Sequence, residues 1–167
     1  MIPQVLTNMN LFIDGKGFAG DNVSLTLPKL KIKSEDHRAG GMDAPIKVDL
    51  GMEAMEASFA LAGMSQDALK FFGLADQAAF SGAFRGAYKN TKGETVAAVA
   101  TLRGQLQEVD HGDWKPGDKA ETKMTAALEY YKLEISDKAI YEIDVPNMVR
   151  IIDGKDQLAD VRKALGM

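Results

Sequence analysis

The sequence contains no cysteine, one tryptophan and two histidines among 167 residues. Missing thiols exclude disulfide frameworks, thiol catalysis and Cys-ligated zinc or iron–sulfur sites. The longest uninterrupted apolar run, Val96 to Ala100, is far too short to cross a bilayer as a helix. The first residues, Met1 to Thr7, lack the basic n-region and apolar h-region of a signal peptide, which predicts synthesis and folding in a cytoplasm. An excess of positive charge is lacking too: twenty Lys+Arg against twenty-four Asp+Glu leave −4. That balance argues against a domain that grips phosphate backbones through a basic surface. Catalytic material is equally sparse. His37 and His111 each sit in a glycine-rich stretch, and no Ser-centred elbow motif accompanies them. The carboxylate pairs Asp118/Glu121 and Glu142/Asp144 read as solvated residues, so neither an enzyme nor a cofactor is expected.

What is present is mostly period-two alternation, broken at turns by many of the sixteen glycines. Leu11-Phe12-Ile13 reads as a strand closed by the Asp14-Gly15 turn, and Val23 to Leu27 and Lys29 to Lys33 as strands separated by a bend at Pro28. The stretch Ser34 to Pro45 is polar and glycine-rich around Met42 and reads as one long loop. Ile46 to Leu50 resumes the alternation, and Met55, Ala57, Phe59 and Leu61 share one face of the next strand. The period changes at Ser65, a good N-cap, predicting a short helix over Gln66 to Phe72 that stops at Gly73 and packs through Leu69 and Phe72.

The longest strands follow. Phe80, Gly82, Phe84, Gly86 and Tyr88 alternate with smaller or charged residues, and after the turn at Lys89 to Gly93 a second strand runs from Val96 to Gln107. A third runs from about Ala120 to Ile135. Its apolar residues are Thr122, Met124, Ala126, Leu128 and Tyr130 at first and Tyr131, Leu133 and Ile135 afterwards, a phase slip that demands a bulge or a change of sheet. Ala139 to Asp144 and Asn147 to Ile152 are shorter strands, and Leu158, Val161 and Leu165 fall at helical spacing. The expected architecture is therefore a single domain over residues 1–167, mainly β: an antiparallel barrel or sandwich with one short flanking helix at about 65–72 and a short C-terminal helix.

Two motifs resolve into simpler readings. Gly15-Lys16-Gly17-Phe18-Ala19-Gly20 spells the dinucleotide fingerprint, but a strand-like run ending at Pro28 follows it where a helix N-terminus is required. Asp110, His111 and Asp113 match neither a zinc signature nor a calcium loop, and a turn accounts for them. The polar faces of the long strands carry more information. Thr101, Arg103 and Gln105 on one strand and Glu121, Lys123 and Thr125 on the next make a broad hydrophilic face, read either as an ordinary solvated surface or as the wall of a water-filled lumen shared among subunits.

Whole segments also occur in a familiar order: Leu25-Thr26-Leu27-Pro28-Lys29-Leu30, Arg38 to Pro45, Asp49 to Glu53, Gly93 to Val96, Leu102-Arg103-Gly104, Glu108-Val109-Asp110, Trp114 to Asp118, Tyr130 to Leu133 and Tyr141 to Asp144. On these the chain resembles the major tail tube proteins of contractile-tailed bacteriophages, in particular the tube subunits of R-type pyocins. The resemblance runs from Ile2 to Ala159, with His37 standing where the family's loop carries an aromatic residue. It implies a structural protein whose copies close into hexameric rings and stack into a rigid tube inside a contractile sheath, to be driven through a cell envelope and conduct DNA or ions. Implied partners are further copies of the chain, sheath, baseplate, tail-terminator and tape-measure proteins, with DNA passing unbound. The loop residues Glu35, Asp36, His37, Arg38, Gly40, Gly41, Met42 and Asp43 are then expected to be mobile alone and ordered between subunits, with Gly40-Gly41 in conformations closed to other residues. Thr101, Arg103, Gln105, Glu121, Lys123 and Thr125 become the lumen candidates. The alternatives are a type VI secretion-like hexameric tube protein and a small-ligand β-barrel carrier with an apolar cavity.

Overall fold

A computed structural model of the chain describes residues 4–18, 20–74 and 79–167. Its elements in order are β1 (Gln4–Ile13), β2 (Lys16–Gly17), β3 (Asn22–Thr26), β4 (Ile32–His37), β5 (Ile46–Met52), β6 (Met55–Ala62), α1 (Gln66–Leu69), β7 (Phe80–Asn90), β8 (Thr95–Asp110), β9 (Glu121–Ile135), β10 (Lys138–Asp144), β11 (Val149–Ile152), β12 (Lys155–Asp156) and α2 (Ala159–Ala164). Ten strands join one antiparallel sheet, and β4 and β5 form a separate two-stranded hairpin. The expected mainly antiparallel β-fold with two short helices is what the chain adopts.

The sheet is organised around β9. One edge of β9 pairs with β8 along nearly its whole length. Its other edge is divided, with β6 bound along Glu121 to Leu128 and β10 along Tyr130 to Ile135. At the division the register slips: Arg103 faces Tyr130 but Gly104 faces Leu128, leaving Glu129 as a bulge with no partner on β8, while its carbonyl accepts from Val145 N–H at 2.9 Å. The phase slip legible in the sequence is thus both a bulge and a change of partner. It comes one residue earlier than the apolar pattern implied, and Tyr130 lies on the outer face. A second slip between Leu106 and Glu108 turns Val109 inward, which the sequence did not disclose.

Because β6 and β10 diverge from one strand, β6 and its neighbour β3 fold back over the inner face of β7 and β8. Phe59 of β6 consequently stacks on Phe80 of β7 at 5.3 Å and meets Phe84 edge-on at 5.5 Å, although three ladders separate β6 from β7 in the sheet. Leu11, Ile13, Leu61, Leu102, Leu106 and Met124 complete the core. Each such side chain contributes roughly 1.5–3 kcal/mol of burial, so a chain with few aromatics gains most by concentrating its phenylalanines here. The buried hydroxyl of Thr122 donates to the Gly63 carbonyl at 2.8 Å.

Three expectations need correction. Ser34 to His37 belong to β4 and pair with β5, so the loop shrinks to 38–45, and the preceding strand begins at Ile32 rather than Lys29. The helix covers only Gln66–Leu69, and Ser65 occupies its N-cap without a side-chain capping bond. Tight turns after Leu69 rotate Phe71, not Phe72, onto Phe80; Phe72 stays 56% exposed and bridges the edge of β8 at Leu106. The glycine run after β1 leads through the short β2 to strand β3 rather than to a helix, as the sequence predicted.

Gly104 allows the bulge to form. A Cβ there would lie 2.0 Å from the Ala127 carbonyl oxygen and 2.8 Å from the Leu128 Cα, both backbone atoms that cannot step aside. Gly104→Ala should therefore cost about 2 kcal/mol or more, read as a lower urea midpoint. Gly40→Ala, with nothing near its Cβ position, should change stability by less than about 0.5 kcal/mol.

Candidate assembly surfaces

The outer face of β1, β7, β8 and β9 alternates with the core and carries polar side chains interspersed with small apolar ones such as Ala83, Ala87, Ala97 and Val99. Thr101, Arg103 and Gln105 project from β8 and Glu121, Lys123 and Thr125 from β9, so the structure places all six predicted residues on one sheet face. They do not form one cluster. Arg103 lies beside Ser81 and Tyr130, with its guanidinium 5.2 Å from the Tyr130 ring centroid. Thr101 lies between Ala83 and Lys132. Gln105 is tied to the segment after α1, donating to the Gly73 carbonyl at 3.1 Å. After the second slip, Thr125 and Lys123 face Glu108 and Asp110.

Charges of both signs are mixed across this face. Arg85, Lys89, Arg103, Lys123 and Lys132 stand among Glu108, Asp110, Glu121 and Glu134, so the chain's net negative charge is not concentrated here. Lys132 and Glu134 form an ion pair at 3.0 Å, and that hydrogen bond raises the Lys132 pKa. Tyr130 donates to Glu142 at 3.3 Å; burial, then the nearby Glu142 carboxylate, push its pKa up. On the core side, burial beside Tyr141 pushes the Tyr131 phenol up to about 12.

The β4–β5 hairpin is the second surface. Ile46, Val48 and Leu50 alternate onto one of its faces with Glu35 and His37 and remain 53%, 42% and 53% exposed. The other face carries the Asp36–Lys47 pair at 2.8 Å and Asp49. In the tip, Arg38 donates to the Met42 carbonyl at 3.2 Å, Met42 is half-buried, and Asp43 is exposed. Gly41 has φ +87°, a left-handed conformation suited to glycine, whereas Gly40 has neither a positive φ nor a close neighbour, so only one of the pair meets the expectation.

A two-stranded hairpin is marginal by itself. The legs of this one are clasped at the root, where Glu53 N–H donates to the Lys31 carbonyl at 2.8 Å, and it is tied to the body through Asp49, which accepts from Arg150 of β11 at 3.2 Å. The apolar alternation of β5 was visible in the sequence, but its exposure was not, because alternation marks a sided strand without saying what covers it.

Two further features lie at the sheet margins. From Gln4 to Asn10, β1 pairs with β7 on one side and carries no ladder on the other among the described residues. Trp114, in the connection between β8 and β9, is 75% exposed, next to Met64 at 54%. An unpaired edge and a solvent-facing tryptophan are both costly in a solitary domain.

Comparison with known proteins decides what these surfaces belong to. The family model for phage tail tube protein FII matches residues 3–166. The chain belongs to this family. It is 33% identical over 170 residues to the tail tube protein of Escherichia phage P2, covering 99% of both chains, and 36% identical over 171 residues to the major tail tube protein of Serratia phage KSP20, covering 99% of this chain and 98% of that one. The fold also matches solved extracellular contractile injection systems. It resembles a sheath/tube terminator of the PVC system at TM-score 0.61 and 8% identity, covering 80% of this chain and 98% of that one. A chain of the PVC sheath–tube complex matches at 0.59 and 10%, covering 80% and 91%. As a family member the protein is a structural subunit of a contractile-phage tail tube, a component of the virion tail.

The hairpin's attachment should be pH-sensitive. The Gly51 N–H bond, at 2.7 Å, and then Arg150 hold the Asp49 carboxyl below the ordinary aspartate value of 3.8, outweighing its partial desolvation. A carboxyl lowered in the folded state stabilises above its unfolded pKa and loses that contribution as pH falls through the folded value. Amide exchange in β4 and β5, corrected for intrinsic rates, should therefore accelerate as pH falls below 3.8, and Asp49→Asn should show the faster exchange already at neutral pH.

Proposed function

We propose that copies of this chain close into hexameric rings by lateral pairing along their open strand edges, and that the rings stack into a hollow tube whose bore is lined by the outer face of β1, β7, β8 and β9. The observation that carries this reading is the uncovered polar face itself. It spans the longest strands, is opposed by an inner face that is apolar but for Thr122, and ends at an edge on β1 that has no partner among the described residues. Ring closure would give that edge a partner.

Four contiguous strands per copy make about twenty-four in a ring. At about 4.8 Å spacing and roughly 40° tilt, the backbone radius is about 24 Å, and side chains leave a bore near 40 Å, wide enough for a DNA duplex. The mixed signs of Arg103, Lys123, Glu121 and their neighbours offer no continuous basic track to hold phosphates, so a polyanion or a stream of ions can pass without sticking. No catalytic step, metal or cofactor belongs to this function. Sheath, baseplate, terminator and tape-measure proteins are its partners, and synthesis and assembly take place in the bacterial cytoplasm, for a phage tail or a pyocin-like particle.

The hairpin is the arm that reaches a neighbouring copy. Its Ile46/Val48/Leu50 face supplies apolar area, and Glu35, Asp36, Arg38 and Asp43 supply pairing groups. Hydrogen exchange on monomer and assembled tube should show slower exchange for residues 35–43 in the tube; equal protection in both would remove the arm from the assembly. Negative-stain microscopy of concentrated protein should show hollow tubes.

Because the sequence has no cysteine, a single introduced thiol reports its own accessibility. Thr125→Cys should react with a polymer-linked maleimide readily in the monomer and about tenfold more slowly in long tubes, while a small maleimide reacts in both. Equal polymer labelling of monomer and tube would place this face outside the bore.

A further inference from the structure

The two ends of the main sheet are apolar in complementary ways. At one end the β8–β9 connection projects Trp114, the only tryptophan, with Met64 beside it. At the other, the inner face of the sheet continues past the part covered by β6, and Leu6, Tyr88, Val96, Leu133 and Ile135 line an open recess of about 460 Å³ with Val23 on its rim. Leu6 is 43%, Val23 48% and Ile135 40% exposed. The registers Leu6–Tyr88, Tyr88–Val96 and Ala98–Ile135 fix these residues at the start of β8 and the end of β9. Along β8, the fourteen steps from Val96 to Asp110 span about 46 Å at about 3.3 Å per residue, so protrusion and recess cannot meet within one chain.

Their charges are complementary as well. From Asp110 to Ala120 the connection carries three aspartates, Asp110, Asp113 and Asp118, against two lysines. The turns flanking the recess carry three lysines, Lys89, Lys92 and Lys138, the last paired with Asp153 at 2.9 Å, against Glu94 and Asp137. A two-fold contact made end to end would bring like ends together. A head-to-tail contact joins the tryptophan end of one copy to the recess of the next, and when made along the strand direction it repeats along a line.

We propose that Trp114 of one copy is the plug that enters the Leu6/Val96/Ile135 recess of a second copy in the adjoining ring, making this the axial contact that stacks rings. The inference rests on the tube reading above and adds the residues and the direction of stacking. An indole suits such a plug because it brings a large rigid apolar area at little entropic cost and is expensive to leave in water.

The experiment uses the full-length protein. In the wild type, the emission of the single tryptophan should shift to the blue when monomers assemble. Trp114→Ala, and separately Ile135→Glu, should leave the monomer's circular dichroism unchanged and raise the concentration needed for tubes at least about tenfold, while Trp114→Phe retains most of the assembly. The double variant Trp114→Cys/Ile135→Cys, assembled at the higher concentration that loss of the indole requires and then oxidised, should yield a ladder of covalent multimers, since no bridge can form within a chain. Tubes that form without a blue shift, or that form from Trp114→Ala at the wild-type concentration, or an absence of cross-links in assembled double-variant tubes, would overturn the plug and leave the tube reading standing. A wild-type protein that forms neither rings nor tubes would instead overturn the tube reading itself. A variant that does not fold leaves the wild-type emission to decide.

Discussion

The division of β9 at Glu129 is the constraint on which the rest of the structure depends. A strand has two edges, and β9 gives one wholly to β8 while splitting the other between β6 and β10. The split requires the ladder to slip by a residue, and the slip brings the Ala127 carbonyl so close to β8 that only a residue without a Cβ fits opposite. Gly104 therefore determines more than a local turn. With the bulge in place, β6 and β3 can close over the Phe80/Phe84 face, and β10 and β11 can extend the sheet in another direction to meet the hairpin root through Arg150.

A consequence of that geometry is economy of cover. β6 protects the inner face only alongside the first half of β9, which leaves the recess around Leu6 and Ile135 open at the far end. Among the described residues no layer covers the outer face of the long strands, and the hairpin carries its apolar residues into solvent. In a protein that worked alone these would be defects, each exposing surface that favours association. On the assembly proposed above they are unfinished joints, with the lateral edge, the arm and the two ends of the sheet each meeting a different neighbour.

The polar face changes its meaning on the same grounds. In the sequence, a net charge of −4 argued only against a surface that grips phosphate backbones. The structure distributes charges of both signs over that face, with Lys132–Glu134 paired and Arg103 stacked on Tyr130. If this face lines the bore as proposed, it works by offering no run of like-signed charge, because phosphate binding grows with the number of cations that can be engaged together.

By itself the sequence determined the class of fold, the order of the strands, the slip in β9 and the family. Those depend on local alternation, on turn residues such as Asp14-Gly15 and Asp153-Gly154, and on segments in order along the chain, all of which are one-dimensional information. It misplaced the start of the hairpin, let Phe72 stand in for Phe71, and treated Trp114 and Ile46/Val48/Leu50 as ordinary members of a loop and a strand. Only the tertiary structure decided these, because whether an apolar side chain is core or contact depends on what lies across from it. Partner choice along an edge, and the extent to which one layer covers another, are set by contacts between residues far apart in the chain, and an alternating pattern reads the same whether its apolar side meets β6 or meets another molecule.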